Sequence, residues 1–269
     1  MDNLLARIFG HQGSHAFVVT ALLLLLAEIG YQFGRRLLGG RGDDPRRSQI
    51  GVIQGAALGM LGLLLGFTFS MSVERYNHRR ELVLQEANNI WTIWLRGSLL
   101  PDPHPRGVRD LLRDYIDVRV LAQEALRDPA VLTEGLRRSA QIQSALWQHA
   151  EASAREAPND ITATFVEAVN EVIDTDKERV AEGRHRIPAG VWIILLVVAG
   201  VGCYTSGYGS GSEGVRSGFT GVVLPMLITM VIVLIFDLTN ERHGLITVNQ
   251  QPLIELQDSI RSELAASLH

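Results

Sequence analysis

The sequence predicts an all-α, polytopic membrane protein with four transmembrane helices in two pairs and a cytoplasmic helical bundle inserted between the pairs. Three observations predict it. Apolar residues gather near the two ends of the 269-residue chain, although the average of 46% hydrophobic and 20% charged resembles a soluble protein. The middle keeps helical periodicity with almost no strand-like alternation. The second apolar segment runs without a breaker into a cationic, still helical sequence, IGVIQGAALGMLGLLLGFTFSMSVERYNHRR, from Ile50 to Arg80.

Residues 1–15 open the chain, and Leu4, Leu5, Ile8 and Phe9 fall near one face of Asp2 to Phe9, as in a short helix lying in the interface. Residues 16–71 hold the first two spans, Ala16 to Phe33 and Ile50 to Met71. Each is near the roughly 20 residues that cross the hydrocarbon core as a helix. The first continues through Glu28, Tyr31 and Gln32 into Arg35 and Arg36 with no small-x-small cleavage site, so it is retained as a membrane helix.

Residues 72–186 form the bundle. Val73, Tyr76, Val83, Ala87, Ile90 and Trp94 share a face, so the second span continues as a long helix until Pro101, Pro103 and Pro105 stop it. A second helix follows, with Leu111, Leu112, Tyr115, Ile116 and Leu121 as its apolar side. Pro129 and Pro158 bound a third, about Val131 to Arg155, and a fourth starts at the N-cap Asn159 with Ile161, Phe165, Val169 and Ile173 inward.

Residues 187–237 hold the other two spans, Pro188 to Gly207 and Phe219 to Phe236, separated by a Gly/Ser loop from Gly207 to Gly218 that is flexible by composition. Pro225 is a candidate kink. Residues 238–269 carry an amphipathic segment from Pro252, with Leu253, Leu256, Ile260 and Leu264 on one side, suited to dock on the bundle or on a neighbouring subunit. Four spans put both termini and the bundle on one side of the bilayer. Arg75, Arg79, Arg80, Lys177, Arg179, Arg184 and Arg186 there favour a cytoplasmic location by the positive-inside rule, although Arg35, Arg36, Arg41, Arg46 and Arg47 crowd a short loop opposite.

Two stripes on the second span carry the functional reading. Gln54, Leu58, Leu61, Leu65, Thr68, Ser72, Arg75 and Arg79 recur at alternating steps of four and three, a single face passing from apolar through hydroxyl to guanidinium. Beside it Gly51, Gly55, Gly59, Gly62 and Gly66 form a helix-packing face, since small residues let helices approach in lipid. In a pore, the leucines are a hydrophobic constriction, Thr68 and Ser72 offer hydroxyls, and rings of Arg75 and Arg79 favour anions. In a purely structural reading both stripes are packing surface and the arginines snorkel to headgroups.

Other chemistry is sparse. No phosphate loop, His-Glu-x-x-His or nucleophile elbow occurs, so no catalytic residue, cofactor or metal is expected. The net charge of −4 gives no nucleic-acid signature, and a single cysteine, Cys203, excludes an intrachain disulfide. His78, His104, His149 and His185 read as solvated surface residues, and Glu167, Glu171 and Asp174 as an acidic helical face. Glu74, Glu81 and Glu86 are suited to pair with Arg75, Arg79 and Arg80 on the same or an adjoining helix, and Asp237 with Arg242 or with the arginines after the second span. Glu28, ionisable and inside a span, is either interfacial or a proton relay in a transporter.

Leu65-Gly66-Phe67-Thr68-Phe69-Ser70-Met71, Arg75-Tyr76-Asn77, Arg79-Arg80, Glu86-Ala87-Asn88, Phe236-Asp237, Gly244-Leu245-Ile246 and Gln250-Gln251-Pro252-Leu253 resemble the bacterial bestrophin-like membrane proteins. The resemblance implies an oligomeric ion channel whose second membrane helix lines an axial pore, with a helical cytoplasmic part extending it. The sequence lacks the acidic calcium clasp and aromatic-rich neck of true bestrophins, so only architecture carries over. The expected function is a homo-oligomeric, anion-conducting channel of the bacterial inner membrane; the alternative is a non-conducting scaffold or sensor that binds a partner through its bundle. Implied partners are membrane lipid, inorganic ions and further copies of the chain, a pentamer being the assembly considered.

Overall fold

The computed structural model describes residues 11–38, 45–124, 128–183, 187–214, 216, 219–240 and 246–266. Among them every regular element is helical: α1 (His11–Leu38), α2 (Pro45–Gly97), α3 (His104–Glu124), α4 (Pro129–Glu156), α5 (Asp160–Glu182), α6 (Ala189–Glu213), a π-helix (Phe219–Val223), α7 (Leu224–Thr239) and α8 (Gln251–Ala266). Four of these stretches are long and apolar enough to cross a bilayer, and each overlaps one of the four predicted spans. The expected interfacial helix at Asp2 to Phe9 lies outside the described residues. The chain divides into two compact units, Met1–Arg75 with Arg186–Ile246 and Tyr76–His185 with Thr247–His269.

In the first unit α1 and α6 meet backbone to backbone. A Cβ added at Gly30 would stand 2.1 Å from the carbonyl oxygen of Tyr204, and one at Gly34 2.2 Å from that of Tyr208. Reciprocally, Gly207 would meet the Ala27 oxygen at 2.0 Å and Gly211 the Tyr31 oxygen at 2.1 Å. Each helix thus contributes a Gly-x-x-x-Gly pair, the spacing that brings two helices into contact in lipid. This corrects the expectation of a flexible loop from Gly207: the glycines continue α6 to Glu213, because close packing offsets their backbone entropy. The helix ends at Gly214, whose φ of 70° is left-handed, with its N–H donating to the Gly211 oxygen at 3.1 Å. Leu23, Leu61, Leu195, Cys203 and Ile232 fill the core of this unit. Pro225 lies in the first turn of α7, directly after the π-helix Phe219–Val223.

In the second unit Val83, Ile90 and Trp94 of α2 pack with Leu112 and Tyr115 of α3, Leu146 of α4, Phe165 and Val172 of α5, and Leu253 and Ile260 of α8. The amphipathic C-terminal helix therefore docks on its own bundle. Gln257 and Arg261 donate to Asp117 at 2.6 and 3.1 Å, and the Trp94 indole N–H donates to Glu263 at 2.7 Å. The Leu264 side chain lies outside the described residues.

Two expected inward residues, Leu121 and Ile161, are exposed. For Ile161 the reason is the cap. Asn159 accepts from the Ile161 and Thr162 amides, while Thr162 Oγ1 accepts from the Asn159 N–H at 3.2 Å and donates to the Ala157 oxygen at 2.7 Å. That box turns Thr162 inward and sets the buried line as Thr162, Phe165, Val169 and Val172.

Candidate functional site

The first turns of α2 carry both predicted stripes, and their surroundings differ sharply. Gln54 Oε1 lies where a Gly209 Cβ would meet it at 3.5 Å, and Leu58 Cδ2 would meet one on Gly202 at 3.0 Å, so both lean on α6. Leu61 belongs to the membrane core and Leu65 packs against it. Thr68 donates its hydroxyl to the Leu64 oxygen at 2.7 Å, and Ser72, 0% exposed, donates to the Thr68 oxygen at 2.8 Å with the Thr239 hydroxyl 3.3 Å away. Arg75 and Arg79, both half-buried, continue that line. Within one chain, the stripe expected to face water is the surface that holds α2 to α6 and α7, and its hydroxyls are spent on the helix's own carbonyls.

The opposite side of α2 is open. A Cβ added at Gly51, Gly55, Gly59, Gly62 or Gly66 would meet nothing within 4 Å. The five glycines therefore pack against no described helix of the same chain; the backbone seam of the membrane unit is made instead by Gly30, Gly34, Gly207 and Gly211, which the periodic reading of α2 did not seek. Around the rest of the open side stand Val52, Leu63 and Phe67, each more than three-fifths exposed, with Ile53, Met60 and Met71. Ser70 and Glu74 continue the exposed line.

Two carboxylates of the membrane unit are engaged. Glu28 accepts from Arg216 at 3.0 Å and from Gln32 at 3.2 Å, and the Arg216 guanidinium lies 5.5 Å from the Tyr31 ring centre. An ion pair accounts for Glu28 without a proton relay. Asp237 accepts from the Ile246 N–H at 2.9 Å; Arg242, one of its expected partners, lies outside the described residues.

In the second unit Glu86 overturns its expected pairing with the arginines about two to three turns earlier on α2. It is fully buried, 2.7 Å from Arg119, bonded also to Arg179, and accepts from the Tyr115 hydroxyl at 3.2 Å. Asp176 lies 2.8 Å from Arg119 and accepts from Gln143 at 2.8 Å. Two carboxylates and two guanidiniums from α2, α3 and α5 thus lock one another inside the bundle, as buried charges require. Burial pushes the Tyr115 hydroxyl up to about 12; Arg119 opposes that rise and Asp176 adds to it. The signal was present in sequence, because Glu86 sits on the apolar line of Val83, Ile90 and Ile93.

His104 and His149 also depart from expectation: His104 is 5% exposed, and its Nδ1 lies 3.1 Å from Nδ1 of His149. His78 is a half-buried partner of Glu178 at 3.3 Å, and His185 lies outside the described residues. Glu167, Glu171 and Asp174 are exposed, with Asp174 bonded to Asn170 and Lys177 of its own helix. Among the described residues no three His, Cys, Asp or Glu side chains are grouped to hold a metal.

The model of the bestrophin-like domain matches residues 21–253. The fold is shared with a substituted form of a bacterial bestrophin homolog from Klebsiella pneumoniae, at TM-score 0.63 and 18% identity over 95% of this chain and 97% of that one. A second substituted form of that homolog aligns at TM-score 0.59 and 18% identity over 93% and 96%, and a structure described as a membrane protein at 0.62 and 16% over 93% and 97%. No curated protein sequence matches. With the domain covering most of the chain and the four-span helical fold shared with a bestrophin homolog, this chain belongs to the bestrophin-like family.

Proposed function

We propose that copies of the chain form a ring in the bacterial inner membrane, termini and bundle cytoplasmic, and conduct ions along an axial path lined by α2. The observation that carries this reading is the division of α2 into a packed side and an open one over its membrane length. A helix in a ring must serve its own chain, two neighbours and the axis. The open side has three matching parts: a glycine flank (Gly51, Gly55, Gly59, Gly62, Gly66), a bulky flank (Ile53, Met60, Phe67, Met71), and between them Val52, Ala56, Leu63, Ser70 and Glu74. The bulky flank of one copy fits the glycine flank of the next, a head-to-tail contact that closes a ring, with a pentamer as one candidate.

On this reading Leu63 makes the hydrophobic constriction, while Leu58, Leu61 and Leu65 anchor the helix. The anion preference expected from Arg75 and Arg79 needs those guanidiniums at the water path, and both continue the packed line. Glu74 is on the open line, so a carboxylate ring at the mouth favours cations. Recording from purified protein in planar bilayers tests both parts. The expected result is a conductance with cation preference that Glu74→Gln weakens and that Leu63→Ser enlarges. Absence of conductance would leave the non-conducting scaffold as the better account; anion preference unchanged by Glu74→Gln would remove the carboxylate ring.

A further inference from the structure

His104, at the start of α3, is nearly sealed from solvent and reaches two groups on α4: its Nε2 lies 3.2 Å from Glu156 Oε2 and its Nδ1 3.1 Å from His149 Nδ1. The two rings meet edge to face with centres 5.4 Å apart. The His149 ring is seated over Gly107 of α3, where an added Cβ would stand 2.7 Å from its Cε1 and Nε2. A carboxylate only accepts, so His104 carries its hydrogen on Nε2 and presents a lone pair at Nδ1. His149 must then donate from Nδ1, which fixes its tautomer. Among the described residues Glu156 is the one charged group bonded to either ring; α5, which also packs on α4, contributes none.

We infer that His104, His149 and Glu156 form a proton-binding site between α3 and α4 that accepts one proton and is broken by a second. The first added proton still leaves a single hydrogen between the two Nδ1 atoms, so the N–H···N bond is kept. The second turns two N–H groups toward each other at the present 3.1 Å and sets two cations side by side in a mostly buried place. Burial, and then His104, hold the His149 ring below the ordinary histidine range. A base whose folded value is lowered binds more protons when unfolded, so its share of stability is present above the ordinary value, about 6.5, and lost as pH falls below it. The α3–α4 pair therefore opens in acid.

The test is made on the full-length purified protein. Histidine nitrogen NMR at pH 8 is expected to show His104 as the Nε2–H and His149 as the Nδ1–H tautomer. Hydrogen exchange, corrected for intrinsic rates, is expected to show opening of α3–α4 amides rising by up to about tenfold per pH unit below pH 6 in the wild type and staying flat in His149→Gln. An Nε2–H tautomer at His149, or the same acid profile in His149→Gln, would overturn the inference. The tautomer measurement stands on the wild type alone should the variant not fold.

Discussion

Substituting Gly207 by Ala tests the seam between α1 and α6. The new methyl would stand 2.0 Å from the Ala27 oxygen, 2.8 Å from its carbonyl carbon and 3.1 Å from its Cα, so it meets backbone that cannot swing aside. Restoring even the shortest tolerated contact of 3.0 Å requires the helices to part by about 1 Å over a seam that Gly30, Gly34 and Gly211 also share. Overpacking of this kind costs about 1–3 kcal/mol, against which alanine recovers about 0.5–1 kcal/mol of helix propensity. The net loss is about 0–2.5 kcal/mol from this methyl alone, and more if the other three glycine contacts separate with it. Gly190→Ala on the same helix is the matched control, since its methyl meets nothing within 4 Å among the described residues. Thermal unfolding of detergent-solubilised protein should place Gly207→Ala several degrees below wild type, at about 2–4 °C per kcal/mol. If Gly207→Ala melts at or above wild type, the close approach of α1 and α6 is wrong.

In the second unit, Glu86→Gln leaves Arg119 and Arg179 without their shared carboxylate and should cost about 3–5 kcal/mol in chemical denaturation, whereas an exposed pair such as Lys177 with Asp174 should cost less than about 1 kcal/mol when broken. Tyr115, pushed up to about 12 by burial, should stay un-ionised in the folded protein to high pH. Because its folded value exceeds the unfolded one of about 10, its contribution is present below pH 10 and lost as pH rises toward 12, so Tyr115→Phe should flatten the alkaline decline of stability. Asn159→Ala removes the side-chain acceptor of the capping box and should cost about 1 kcal/mol.

Much of the architecture was legible from hydropathy and period: the four spans, the long second helix, the Asn159 cap and the inward side of the C-terminal helix all follow from local rules. What was not legible depended on which helix meets which. Period alone shows that Leu58, Leu61 and Leu65 share a face, but it is silent on whether that face meets water or α6. The leucine stripe looked like a pore lining because polar residues extend it, yet Thr68 and Ser72 bond their own helix and Ser72 sits beside Thr239. The packing glycines were sought on α2, where five align, while the pairs Gly30/Gly34 and Gly207/Gly211 carried the same spacing on two different helices. Glu86 was matched to nearby arginines because sequence neighbours are visible and Arg179 is not.

The measurement that bears most directly on the proposed path is thiol accessibility along α2 in the assembled protein, with Cys203, buried in the membrane core, replaced by Ala. Cysteine is introduced at Leu63 on the open side or at Leu61 on the packed side, and a membrane-impermeant thiol reagent is applied during recording. Modification and block at Leu63→Cys with Leu61→Cys inert is the expected result. Reaction at Leu61→Cys while Leu63→Cys stays silent would put the water on the leucine face and contradict the assignment.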